Sequence, residues 1–144
     1  MNRMIHIGLV AIATSTIGLA GSASAAGSTS VFNCTVTPAN PFIEYRGGIR
    51  GVGANVYVKC TVGRTGIVNA QIRENDTVSD DEVTPIRSAS FTILAGQTQK
   101  VLSMWGACNN FDATGAEELF SRAKINIGGI NSAWANTPDV SASC

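Results

Sequence analysis

Four cysteines, one histidine, a cluster of acids and two tryptophans are the side chains of this 144-residue sequence best suited to chemistry. The histidine is the first to drop out. His6 lies in an apolar run over residues 5–20, preceded by the single basic residue Arg3 and followed by Gly21-Ser22-Ala23-Ser24-Ala25. A basic start, a short apolar core and an A-x-A site (Ala23, Ala25) form the pattern of a cleaved secretory signal. A membrane anchor needs about 20 apolar residues, and Thr14, Ser15 and Thr16 interrupt this run. Cleavage after Ala25 is therefore expected, giving a signal peptide over residues 1–25 and a secreted β domain over 26–144. That secreted part has no histidine, which rules out Ser-His-Asp and Cys-His catalysis and histidine-based zinc sites.

The cysteines are Cys34, Cys60, Cys108 and Cys144, all beyond the cleavage point. An even number in an oxidising compartment is the signature of disulfides, and the C-x-x-C spacing of a zinc site is absent. Of three possible pairings, Cys34–Cys60 with Cys108–Cys144 brackets two coherent blocks. With every thiol paired, no cysteine nucleophile remains.

The acids are concentrated. Glu74, Asp76, Asp80, Asp81 and Glu82 are half of the chain's ten. Asp76, Asp80, Asp81 and Glu82 are candidate calcium ligands, since calcium takes several carboxylate and carbonyl oxygens. Their spacing lacks the glycine and register of a known calcium loop, and a solvated turn that keeps the domain soluble explains them better. Enzymes without histidine are mostly carboxylate-pair glycosidases, but these acids share one loop instead of facing each other across strands. A non-enzyme without a cofactor is the expectation.

Tyr45, Arg46 and Arg50, with Arg64, could grip a carboxylate or a sugar ring. Trp105 and Trp134 are potential carbohydrate platforms. Trp105, close to Cys108, is expected to pack in the core. Trp134, between Ala133 and Ala135, is expected to present an exposed ring. After loss of Arg3 the basic residues number one fewer than the acids, so neither nucleic acid nor anionic membrane is expected as a partner.

The elements that must position these residues are strands. Val56, Val58, Cys60 and Val62 alternate with Tyr57, Lys59 and Thr61; Val68, Ala70 and Ile72 alternate in the same way. Phe32, Cys34 and Val36 form an earlier alternating set. Residues 89–93 and 99–108 read as two more strands, separated by a turn at Gly96. Over 117–127 good helix formers compete, yet Leu119, Ser121, Ala123, Ile125 and Ile127 keep period two for nine residues, which predicts a strand. Pro38, Pro41 and four glycines make 41–53 a long irregular connection or a broken edge strand. Gly63 to Gly66 reads as a hairpin turn, and the tail as a terminal edge strand. Around seven strands in about 120 residues predict an all-β, two-sheet antiparallel sandwich of immunoglobulin-like size with two disulfides.

A signal peptide, an early Cys34, a V-x-V-x-C strand ending at Cys60, a third cysteine in Trp105-Gly106-Ala107-Cys108 and a last at Cys144 complete a layout. It resembles that of small secreted four-cysteine proteins of actinobacteria. The resemblance spans most of the secreted part. It implies a β-sandwich with first-to-second and third-to-fourth disulfides, and it implies no activity and no functional residue.

The expected function is non-catalytic: a secreted domain that binds a protein or cell-surface partner through its loops. A hydrolase inhibitor presenting 41–53 is the most concrete version. The alternative is a cell-envelope glycan-binding protein or carboxylate-dependent glycosidase.

Overall fold

The computed structural model describes residues 27–76, 81–108 and 117–143. Among these there is no helix; all regular structure is antiparallel β in two sheets. The first sheet contains β1 (Thr29–Val31), β2 (Cys34–Pro38), β3 (Phe42–Arg46), β4 (Ile49–Cys60) and β8 (Thr98–Ala107). Its axis is β4. One edge of β4 is shared by β2, along Val56–Cys60, and β3, along Ile49–Gly53, while β8 takes the other edge. The second sheet is centred on β5 (Arg64–Glu74) and β9 (Glu117–Ile127). On the outer edge of β5 lie β6 (Asp81–Glu82) and β7 (Arg87–Ile93). On that of β9 lie β10 (Ile130–Asn131), β11 (Ala135–Asn136) and β12 (Val140–Ala142).

Period two decides which side chains are inside. Val52, Ala54, Val56 and Val58 from β4 share one buried cluster with Val68, Ala70 and Ile72 from β5 and Leu119, Ala123 and Ile125 from β9. The nine-residue alternation of β9 overrides the helix propensity of its first residues, because only as a strand can it bury that face. Ser121 is the polar member of the buried face. Its hydroxyl donates to the Ala39 carbonyl at 2.6 Å, joining β9 to the chain that leaves β2, so its burial leaves no unmet hydrogen bond.

Four expectations are corrected. The strand over 31–37 is broken: Phe32 and Asn33 both have positive φ (46° and 64°) and turn the chain between β1 and β2, so Phe32 is exposed and not on the core face. Residues 42–53 are neither an irregular connection nor a single broken strand but a hairpin of β3 with β4. Gly47 and Gly48, at φ 57° and 80°, make its two-residue turn, the conformation that matches strand twist and favours glycine. Gly63 to Gly66 is not a hairpin connection, since β4 and β5 belong to different sheets. Val62 lies beyond the end of β4 and is exposed.

Cys34 and Cys60 form a disulfide. They sit directly opposite each other on β2 and β4 and both are fully buried. The bridge therefore staples two neighbours within one sheet. Cys108 is disulfide-bonded as well, and Cys144, its expected partner, lies outside the described residues.

Candidate functional site

The outer face of β4 is smooth where it meets β3 and β8. Gly51 and Gly53 point outward there, and each is a place where a Cβ would collide. At Gly51 it would run into the Trp105 ring and lie 2.5 Å from the Gly106 carbonyl oxygen; at Gly53 it would lie 2.7 Å from Glu44 Oε2 and 2.9 Å from the Phe42 ring. Two missing side chains thus let Trp105, from β8, and Phe42 and Glu44, from β3, lie down across β4. Trp105 Nε1–H donates to the Glu44 carbonyl at 3.4 Å, a long bond. The Arg46 guanidinium stands 5.5 Å from the centre of the Trp105 ring and pairs with Glu44 Oε2 at 3.0 Å. Arg46 is exposed and Glu44 half-buried, so the pair is partly screened by water and orients Arg46 more than it stabilises the fold.

Beside this cluster an open groove of about 360 Å³ runs along β8, lined by Arg46, Arg87, Ser88, Leu102, Ser103 and Trp105, together with Met104. Both hydroxyls already donate, Ser88 to Asn69 Oδ1 and Ser103 to Asn55 Oδ1, each at 2.7 Å, so the two arginines are the groups that suit a carboxylate-bearing ligand. Trp105 is the residue that sequence reasoning misplaced. It is half-buried on the outer face instead of packed in the core. The signal was present: Leu102 and Met104 alternate with Ser103 and Trp105, which puts the indole opposite the apolar face.

The structure places Tyr45 beside Arg50 and separates Arg46 from both. Tyr45 and Arg50 are register partners, while Arg46 opposes Ile49, so successive side chains leave opposite faces. Arg50 is half-buried, and its Nε has no hydrogen bond. Arg64 begins β5 past the other end of β4 and lines a different hollow with Thr65 and Ile93.

Trp134 is half-buried, with the Arg122 guanidinium 4.6 Å and the Lys124 ammonium 4.8 Å from its ring centre. Arg122 is itself held by two donations to Gln71 Oε1, at 3.1 and 2.7 Å. The ring is part of a cation–π cluster on β9 and does not stand free as a platform. In the acidic segment, Glu74 is buried at the end of β5, and Asp81 and Glu82 are exposed on β6. Among the described residues no three carboxylates or thiols come close enough to share a metal; Asp80 lies outside them.

No protein-family model matches the chain. No curated protein matches it either. Among solved structures, the solution structure of R. palustris CsgH is similar, with a TM-score of 0.44 and 13% identity over 72% of this chain and 91% of that one.

Proposed function

We propose that this is an exported, non-catalytic domain, a stack of two sheets, that binds a protein or cell-surface partner with its β3–β4 hairpin. The observation that carries the reading is the hairpin's composition. Phe42, Tyr45 and Ile49 are 43%, 64% and 57% exposed within one eight-residue stretch. Several large apolar groups left in water on one short hairpin, on both of its faces, mark an interaction surface more often than isolated ones do. Phe42 and Ile49 lie on the face that carries the Glu44–Arg46–Trp105 cluster, and Tyr45 leaves the other; the cluster holds the hairpin against β8, so little ordering remains to oppose binding. A buried disulfide, with no free cysteine among the described residues, supports an oxidising compartment. The inhibition of a hydrolase is the specific form we favour, since a rigid presented hairpin is well suited to occupy a cleft.

Export has its own test. The intact mass of protein recovered from culture medium is expected to match a chain starting at Ala26, less four hydrogens for two disulfides. A chain starting at Met1 would end the export claim, and two free thiols would remove the Cys108–Cys144 bridge.

The binding claim is tested by immobilising the secreted protein and presenting it with purified secreted proteases and, separately, with purified cell wall. Capture of a protease supports the inhibitor form. Capture of cell wall alone moves the function to glycan binding, and capture of neither removes the proposal.

A further inference from the structure

The groove beside Trp105 has a property that side chains alone do not convey: one of its walls is the free edge of a strand. β8 pairs with β4, and no described strand pairs with its other edge. The direction of its backbone groups follows from one bond. The Cys108 N–H donates to the Arg50 carbonyl at 3.0 Å, which makes Cys108 and Arg50 a hydrogen-bonded pair. Antiparallel pairs alternate between bonded and non-bonded. Counting back along the register, Gly106 with Val52 and Met104 with Ala54 are bonded, while Trp105 with Gly53 and Ser103 with Asn55 are not. The N–H and C=O of Ser103 and Trp105 therefore point away from β4, on the side where the groove lies.

The two ends of this edge are protected and its middle is not. Toward the C-terminal end, Val83 and Thr84 cross close over Gly106, where a Cβ would lie 2.8 Å from the Val83 carbonyl. Toward the N-terminal end, the pairing shifts register opposite Val56 and Tyr57, and Lys100 is exposed; bulges and lysines are the usual means of discouraging an added strand. Leu102 to Trp105, the stretch between, is the stretch that lines the groove.

Charge selects what pairs there. Arg46 is balanced by Glu44, but Arg87 has no ion pair among the described residues, leaving the groove net positive. A second copy of this chain, paired about a twofold axis along the same edge, would bring another unbalanced Arg87 toward the first. Like charges so placed oppose association. A segment carrying carboxylates would be attracted.

We infer that β8 is a docking edge for an extended, acidic segment of a partner protein, which adds a strand beside Leu102 to Trp105 and sets carboxylates against Arg46 and Arg87. Main-chain bonds would supply the affinity and the arginines the selectivity, as in strand addition generally. This deepens the proposed binding function and rests on it; it uses the β8 edge and shares Arg46 alone with the hairpin.

The test uses the secreted protein and a fluorescein-labelled peptide, Thr-Glu-Val-Glu-Val-Thr, followed by fluorescence anisotropy at low and physiological salt. Two control peptides carry Gln for Glu, or N-methyl groups on alternate amides. Binding is expected for the first peptide, weaker at higher salt. It should fall at least about tenfold for each control and for Arg87→Ala, the scale of losing one charge-assisted hydrogen bond or more.

Ser103→Pro should lower it similarly, because proline removes an outward N–H while leaving the β4 ladder intact. Arg87→Ala, at an exposed strand end, serves should the proline variant fail to fold. Equal binding of the Glu and Gln peptides overturns the inference, as does no binding at millimolar peptide. Dimerisation that Ser103→Pro abolishes would assign the edge to self-pairing instead and overturn it too. Failure here, with capture still dependent on the hairpin, removes only this inference.

Discussion

Replacing Cys34 and Cys60 together by serine is expected to cost about 2–5 kcal/mol of stability, and more than the same change at Cys108 and Cys144. Chain entropy predicts near equality. A separation of 26 residues corresponds to about 3.5 kcal/mol in that treatment, and the separation between Cys108 and Cys144, ten residues longer, changes little because the dependence is logarithmic. The difference comes from native packing. Cys34 and Cys60 are fully buried, and with Val36 they attach the short β1–β2 hairpin to β4. Serine in their place would also bury two hydroxyls in an apolar setting, each a further cost unless it finds a partner.

Cys108, by contrast, is half-buried, and the tail strand β12 is three residues on the outside of β9. A fraying tail can be tolerated; loss of β2 exposes valines that the core needs. Urea unfolding of the two double variants measures the difference, expected to be about 1 kcal/mol or more, within the range that native bridges span. If the 108/144 variant is equally or more destabilised, the C-terminal strand matters to the core more than its edge position implies.

The second large effect is expected at a residue with no side chain. Gly51→Ala should destabilise the domain by about 1–3 kcal/mol, the range for overpacking. An opposing gain exists, because glycine inside a strand costs about 0.5–1 kcal/mol relative to alanine. Geometry decides the sign. The added methyl would lie 2.5 Å from the Gly106 carbonyl oxygen, a backbone atom that cannot rotate away, so β8 must move and Trp105 with it. In a Trp134→Phe background the remaining emission reports Trp105 and should shift to the red as the ring is pushed toward water. Unchanged stability with unchanged emission would mean that the ring does not rest on Gly51.

Strands that bury one face completely were legible from their sequence. Val56 to Cys60, Val68 to Ile72 and Leu119 to Ile127 announce themselves because alternation and burial coincide. The hairpin over 42–53 was not, since its glycines look like loop punctuation. Two of them are indeed the turn, but Gly51 and Gly53 are strand residues kept small for what lies on top of them. The turn at Phe32 and Asn33 escaped for the opposite reason: phenylalanine rarely adopts positive φ, and the alternation across it looked continuous. Sheet membership was hidden as well. A short glycine-containing link such as 61–63 is compatible with a hairpin or a step to the other sheet, and only packing chooses. The facing of Cys34 and Cys60 was readable, but that they are cross-strand neighbours in one sheet is a matter of register. Of the candidate site, Arg46 was found, whereas Arg87 and Trp105 join it only through the approach of β7 and β8, which no local pattern encodes.

Binding by the β3–β4 hairpin is the central claim, and the capture measurement repeated with a Tyr45→Ser/Ile49→Ser double variant tests it most directly. Both side chains are exposed, so stability should change by less than about 0.5 kcal/mol each, as for surface substitutions generally. Capture of the protease or cell-wall partner bound by the unmodified protein is expected to fall at least about tenfold, the loss of roughly 1.4 kcal/mol of binding. Undiminished capture by a fully folded double variant would contradict the claim and move the binding surface off the hairpin.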